Sequence, residues 1–131
     1  MNYERAAVLD ASAILAILQK ETGAEKLTEG VLDRSVASTV NLAEVQGKLV
    51  LKGLAPEEAW MHATAAVESI EAFTSEHAKL AGALITQTKS LGLSLGDRSC
   101  LALAISLKGE VYTTVRAWKK LKLGIPIHVI R

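Results

Sequence analysis

A single cysteine, Cys100, among 131 residues excludes an intrachain disulfide and leaves any structural zinc site without thiolate pairs. The two prolines and nine glycines are scattered, and no linker, repeat or low-complexity tract offers a place to divide the chain. Aromatic residues make up only 4%, so alanine and leucine fill the apolar positions, as closely packed helices prefer. No apolar run approaches the ~20 residues of a membrane-spanning helix; Leu101–Leu107 is interrupted by Ser106. Residues 6–18 look superficially like a signal sequence, but Asp10 sits in their middle and Glu4 offsets Arg5 before them. The cytoplasm is therefore the expected location, with no membrane partner. His62, His77 and His128 lack metal-ligand spacing, and solvated or core roles account for them.

What is present is half hydrophobic and 22% charged, the balance of a packed globule rather than a disordered tail. One domain over residues 1–131 is expected, able to bury roughly two-thirds of its unfolded surface. The net charge of +1 hides an asymmetry. Residues 1–107 carry 9 Lys/Arg against 13 Asp/Glu, whereas residues 108–131 carry 6 against Glu110 alone. A basic end on a mildly acidic body suits a polyanion locally, and suits a solvated lysine-rich helix end equally well.

Short apolar runs alternate with helical patterns. Strands are predicted at residues 6–9, 35–38, 69–73, 111–113 and 125–130, Pro126 marking an edge or a strand start. Helices are predicted at 12–20, 24–30, from Asn41 to Gly53, at 57–67 behind Pro56, from Ser75 to about Ser90, and at 96–108, closed by Gly109. Strands separated by helices give right-handed crossovers, so the class is α/β: a mainly parallel five-stranded sheet flanked by helices in three layers.

Ligands of such sheets bind beyond the carboxyl ends of the strands, where strand order reverses. Asp10 directly follows the first apolar strand, where a carboxylate needs a cation or donors, or serves as a helix cap bonded to Ser12 or Ala13. Glu44 stands in Asn41-x-x-Glu44, which approximates a capping box, and Asp97 in the equally cap-like Ser94-x-x-Asp97. Each acid alone has this structural explanation. Three acids opening three elements on one rim are a different matter, because gathered carboxylates raise one another's pKa unless a cation neutralises them. Oxygen-only clusters suit Mg²⁺ or Mn²⁺, and such ions serve phosphodiester hydrolysis.

Val8-Leu9-Asp10-Ala11-Ser12-Ala13, Ser38-Thr39-Val40-Asn41-Leu42-Ala43-Glu44-Val45 and the run Leu93-Ser94-Leu95-Gly96-Asp97-Arg98-Ser99-Cys100-Leu101-Ala102-Leu103-Ala104 resemble successive motifs of PIN-domain ribonucleases. Val111-Tyr112-Thr113-Thr114-Val115-Arg116-Ala117-Trp118 resembles the fourth. The closest likeness is to VapC toxins of bacterial VapBC pairs, over essentially the whole chain. The resemblance implies a PIN-like fold, a Mg²⁺- or Mn²⁺-dependent endoribonuclease acting on RNA, a homodimer and a VapB-type antitoxin. It assigns Asp10, Glu44 and Asp97 to the acidic metal site, with Ser12, Thr113 and Thr114 in support. Val115 departs from the pattern, because the family usually has an aspartate there, in Thr-x-Asp-Arg-x-Trp. A valine supplies no oxygen ligand. Arg98, Arg116, Lys119 and Lys120, with Lys122 beyond them, are candidate contacts for RNA phosphates or an acidic antitoxin, or else ordinary surface charges.

Three function classes follow. The first is a metal-dependent RNase toxin with activity impaired by Val115. The second is a module that binds antitoxin, and RNA with it, without turnover. A phosphoacceptor using Asp10 is disfavoured by Ser12, where Asp-x-Asp is expected. Cys100, Trp60 and Trp118 are expected to pack rather than react or stack on bases.

Overall fold

Ala7-Val8-Leu9 has no charge and no turn former, and all three residues are inaccessible to solvent. In the computed structural model, which describes residues 4–131, this segment (β1, Ala7–Leu9) is the middle strand of a five-stranded sheet. The other strands are β2 (Ser35–Ser38), β3 (Ser69–Glu71), β4 (Glu110–Thr113) and β5 (Ile127–Val129). Their order is β3-β2-β1-β4-β5 and every pairing is parallel. The strand with Pro126 at its threshold lies at an edge, as expected for a residue without an amide hydrogen.

Period-two alternation divides the core into two. Ala7, Leu9 and Tyr112 face one way, with Ile14, Leu42, Val45 and Ala59. These come from three helices: α1 (Ala11–Leu18), α3 (Thr39–Leu51) and α4 (Pro56–Ala65). Val8, Val36 and Val111 face the other way, against Leu101, Leu103 and Trp118. The nearly all-apolar helix α7 (Leu95–Leu107) therefore lies against the sheet, with α5 (Ser75–Ala83) packed on it. Helix–sheet–helix layering results, as the alternation requires. Among the described residues no helix is long and apolar enough to cross a membrane.

Several boundaries differ from expectation for local reasons. The helix expected at 24–30 is two pieces, a 3-10 turn at Ala24–Lys26 and α2 (Glu29–Leu32), because Thr28 leaves helical geometry to cap the second piece. The long helix expected to Ser90 bends into α6 (Ile85–Thr88) and a 3-10 turn at Lys89–Leu91. α5 starts at Ser75 as expected, with Thr74 before it as the cap. Gly109 does not terminate α7; Lys108 takes the left-handed conformation, at φ 53°. Gly109 is needed for closeness instead, since a Cβ there would stand 2.7 Å from the Ala6 carbonyl oxygen.

The crossovers run from β1 to β2 on one side and return through α5–α7 to β4 on the other, so strand order reverses at β1. Register then decides what meets at the carboxyl rim. Leu9 pairs with Tyr112, which sets Asp10 level with Thr113. Val8 pairs with Val36, which brings Ser38 and the start of α3 alongside.

Candidate functional site

Asp10 leaves the end of β1 and caps α1, its Oδ1 accepting from the Ala13 amide at 2.8 Å. The cap expected from sequence is present, and it is only part of what the side chain does. Ser12 Oγ donates to the same oxygen at 2.7 Å, and Thr113 Oγ1 donates to Oδ2 at 2.5 Å across the β1–β4 pairing. The carboxylate is 3% exposed. Burial pushes its pKa up from 3.8 to about 6; the bonds from Thr113, Ser12 and Ala13 oppose the rise, and the charge of Asp97 adds to it.

The supporting hydroxyls are themselves held. Ser12 Oγ accepts from the Thr114 amide at 3.0 Å and lies 3.4 Å from Thr113 Oγ1, which accepts from the Val115 amide at 3.1 Å. Thr114, grouped by resemblance with the supporting residues, joins this network through its backbone. Val115 is 40% exposed and leads into a 3-10 turn, Arg116–Lys120.

Glu44 is not a capping residue. Ser38, not Asn41, is the N-cap of α3, accepting from the Val40 amide at 3.2 Å. The Asn41-x-x-Glu44 spacing instead brings the two side chains together: Asn41 Nδ2 donates to Glu44 Oε1 at 2.9 Å and to the Gly96 carbonyl at 3.0 Å. The Glu44 carboxylate rests directly on Gly96, in the first turn of α7, where a Cβ would fall within 3 Å of both carboxylate oxygens. Asp97 follows at the next position. Its capping box is real: Ser94 Oγ accepts from the Asp97 amide at 3.1 Å, and Asp97 Oδ2 accepts from the Ser94 amide at 2.9 Å.

The three acids thus converge on one rim, from β1, α3 and α7. Cys100, fully buried one turn beyond Asp97, registers this: burial pushes its thiol well above the usual range, and the charges of Asp10, Asp97 and Glu44 all push the same way. Such a thiol is packing, not a nucleophile. Among the described residues no three His, Cys, Asp or Glu side chains form a metal-sized cluster. The physical reason is visible, since Asp10, Glu44 and Asp97 each turn carboxylate oxygens toward donors of their own. The donor set still fits a hard cation. It is all oxygen, one carboxylate is buried at an energetic cost, and the Gly96 cradle admits a second.

The basic candidates are placed less uniformly. Arg98 is half-buried and spends Nη1 on the Ala81 carbonyl at 2.9 Å, tying α7 to α5. Arg116 Nε donates to the Arg131 carbonyl at 3.2 Å. Lys119, Lys120 and Lys122 are exposed beyond Val115, and Trp118 among them is buried in the core. Sequence reasoning missed Asn41 and Gly96 as site residues. The available signal was a polar amide on the apolar start of a helix and a glycine in a helix's first turn.

The PIN domain family model matches residues 7–121. Among curated proteins none matches the chain. Solved structures do. A toxin–antitoxin complex from Klebsiella pneumoniae aligns with TM-score 0.74 at 20% identity, over 96% of this chain and 98% of that one. DNA-bound VapBC from Salmonella typhimurium gives 0.70 at 21%, over 95% and 97%. The sarcin-ricin loop cleaving toxin VapC20 of Mycobacterium tuberculosis gives 0.71 at 15%, over 92% and 99%. At such identities the likeness is one of fold.

Proposed function

The chain belongs to the PIN domain family, and from that membership we propose that it is a VapC-type toxin: a Mg²⁺- or Mn²⁺-dependent endoribonuclease weakened by Val115 and paired with a VapB-type antitoxin. The observation that carries the reading is Asp10. A carboxylate with three donors, buried where strand order reverses and within electrostatic reach of Asp97, is costly for stability and useful for holding a cation. The antitoxin partner is supported by the fold shared with the Klebsiella and Salmonella complexes.

Asp10, Glu44 and Asp97 are the residues that would hold the ion. When bound, such a cation neutralises phosphoryl oxygens and makes water nucleophilic near neutral pH. The chain's own residues prepare for it. Ser12, Thr113 and the Ala13 amide fix the Asp10 carboxylate so that it need not reorganise, and Ser94 fixes Asp97. Lys119 and Lys120, exposed in the turn that follows Val115, would meet RNA phosphates and orient the strand, with cleavage leaving 5′-phosphate and 3′-hydroxyl ends. A homodimer of this chain and residence in the cytoplasm complete the proposal.

A second reading has its own observation. Val115 stands where the motif supplies an acid and offers no oxygen ligand, which favours a module that binds its antitoxin without turnover. RNA cleavage by this chain and by Val115→Asp, each with Mg²⁺, Mn²⁺ or EDTA, separates the two. The nuclease reading expects weak activity that rises with metal on restoring the acid, and loss again in Val115→Asp/Asp97→Asn. A metal-dependent gain that never appears leaves the binding module; equal, EDTA-resistant cleavage by both chains removes the metal site.

A further inference from the structure

Two local rules are broken at a single carboxylate. Asn41 is 1% exposed, and both hydrogens of its amide are used, one on Glu44 Oε1 and one on the Gly96 carbonyl. Its Oδ1 is buried without a partner. Turning the amide over would aim that oxygen at a carboxylate and a carbonyl, so the orientation is fixed by electrostatics and the orphaned oxygen is its consequence. Gly96 is the second exception. Glycine inside a helix is unfavourable relative to alanine, and Gly96 has no positive φ that would require it. It is needed for room: a Cβ there would occupy the place of the Glu44 carboxylate. A stability-driven sequence would have an alanine at 96 and a satisfied or apolar side chain at 41. Broken rules that coincide on one group are the mark of a functional position.

Resting on the metal-site reading above, we propose that Asn41 and Gly96 are a positioning pair for Glu44. The Asn41 amide pulls the carboxylate toward α7 and the bare Cα of Gly96 lets it arrive, fixing a long side chain beside Asp97. This matters more here than it would with an acid at position 115, because Glu44 is one of three anionic groups on the rim rather than one of four. The pair also ties the start of α3 to the start of α7, so the distance between Glu44 and Asp97 is set by two helix ends rather than by a flexible side chain.

Mn²⁺ binding to the full-length chain, followed by the electron paramagnetic resonance of free Mn²⁺, tests the proposal without needing turnover. Parent, Gly96→Ala, Asn41→Leu and Glu44→Gln are compared, each also with Val115→Asp. Gly96→Ala and Asn41→Leu should each weaken Mn²⁺ binding by about 10- to 100-fold, the usual loss when a ligand's supporting partner is removed. Metal-free Gly96→Ala should stay folded, because the atoms its Cβ displaces are the end of a flexible side chain and the helix preference of alanine offsets part of the lost Asn41–Glu44 bond. Added to Glu44→Gln, the alanine should cost less than about twofold more, because its effect runs through Glu44. Affinity within about twofold of the parent in Gly96→Ala, with Glu44→Gln weakened, overturns the pair. So does full affinity in Glu44→Gln itself. If Asn41→Leu does not fold, Gly96→Ala alone decides. Absence of Mn²⁺ binding in both the parent and Val115→Asp would instead overturn the metal-site reading on which the pair rests.

Discussion

Replacing Asp10 by asparagine should make the metal-free protein more stable at neutral pH. An acid moved from 3.8 to about 6 holds its proton more tightly in the folded state than in the unfolded one. Between those values the folded state binds more protons, so stability falls as pH rises through the window and stays reduced above it. At about 1.4 kcal/mol per pH unit, the ionised carboxylate costs about 3 kcal/mol, a large part of the 5–15 kcal/mol typical of a domain. Asparagine keeps the shape and can keep the bonds from Ser12 and the Ala13 amide, and the Thr113 hydroxyl can rotate to accept. Urea unfolding of both proteins in EDTA, from pH 4 to 7.5, isolates the effect, because all other carboxylates cancel in the difference. The asparagine variant should gain about 2–3 kcal/mol relative to the parent over that range. Saturating Mn²⁺ at pH 7.5 should then stabilise the parent and leave the variant unmoved. A difference that stays flat with pH, or equal stabilisation of both by Mn²⁺, would refute the reasoning.

Thr113→Val removes the 2.5 Å bond to Asp10 and should cost about 1.5–3 kcal/mol at pH 7.5, with less lost near pH 4, where Asp10 is protonated; urea midpoints at the two pH values check this. Arg34 Nη1 meets Glu110 Oε2 at 2.8 Å and Nη2 meets the Tyr112 hydroxyl at 3.3 Å. Burial alone would raise Glu110, but bonding to Arg34 and His128 outweighs it and holds the acid below its ordinary 4.5. The stability this contributes is present above pH 4.5 and lost as pH falls through the lower folded value. Arg34→Met should therefore cost about 1–3 kcal/mol at pH 7 and progressively less in acid, read from unfolding curves. Trp118→Ala should cost about 3–5 kcal/mol by thermal or urea unfolding, because a 1% exposed indole anchors the turn after Val115.

Much of the fold was legible because it rests on short-range signals. β2 was read at its observed limits, since Ser35-Val36-Ala37-Ser38 is bounded by charge on one side and a helix cap on the other. Helix interiors followed from apolar spacing, but their ends did not. Ser38, not Asn41, starts α3 because β2 runs as far as its pairing with Glu71 of β3, and the Ser38 hydroxyl then takes the Val40 amide. The Asp10–Thr113 bond was beyond local reading, as it depends on a pairing between segments 103 residues apart. Acids at element starts were legible as residue types; which of them cap a helix was not, since Asp10 and Asp97 do and Glu44 does not. The Gly96 cradle depends on two helices meeting, which no window of sequence contains.

The pairing of β1 with β4 also has a consequence in time. Asp10 is synthesised well before the strand that completes its surroundings, since its partner Thr113 lies 103 residues further along the chain. A growing chain stopped anywhere before Glu110 lacks one of the two neighbours of its middle strand and one of the two hydroxyls that restrain Asp10. The surroundings of Asp10 are therefore complete only after β4 has been synthesised, whatever part of the rim folds before it.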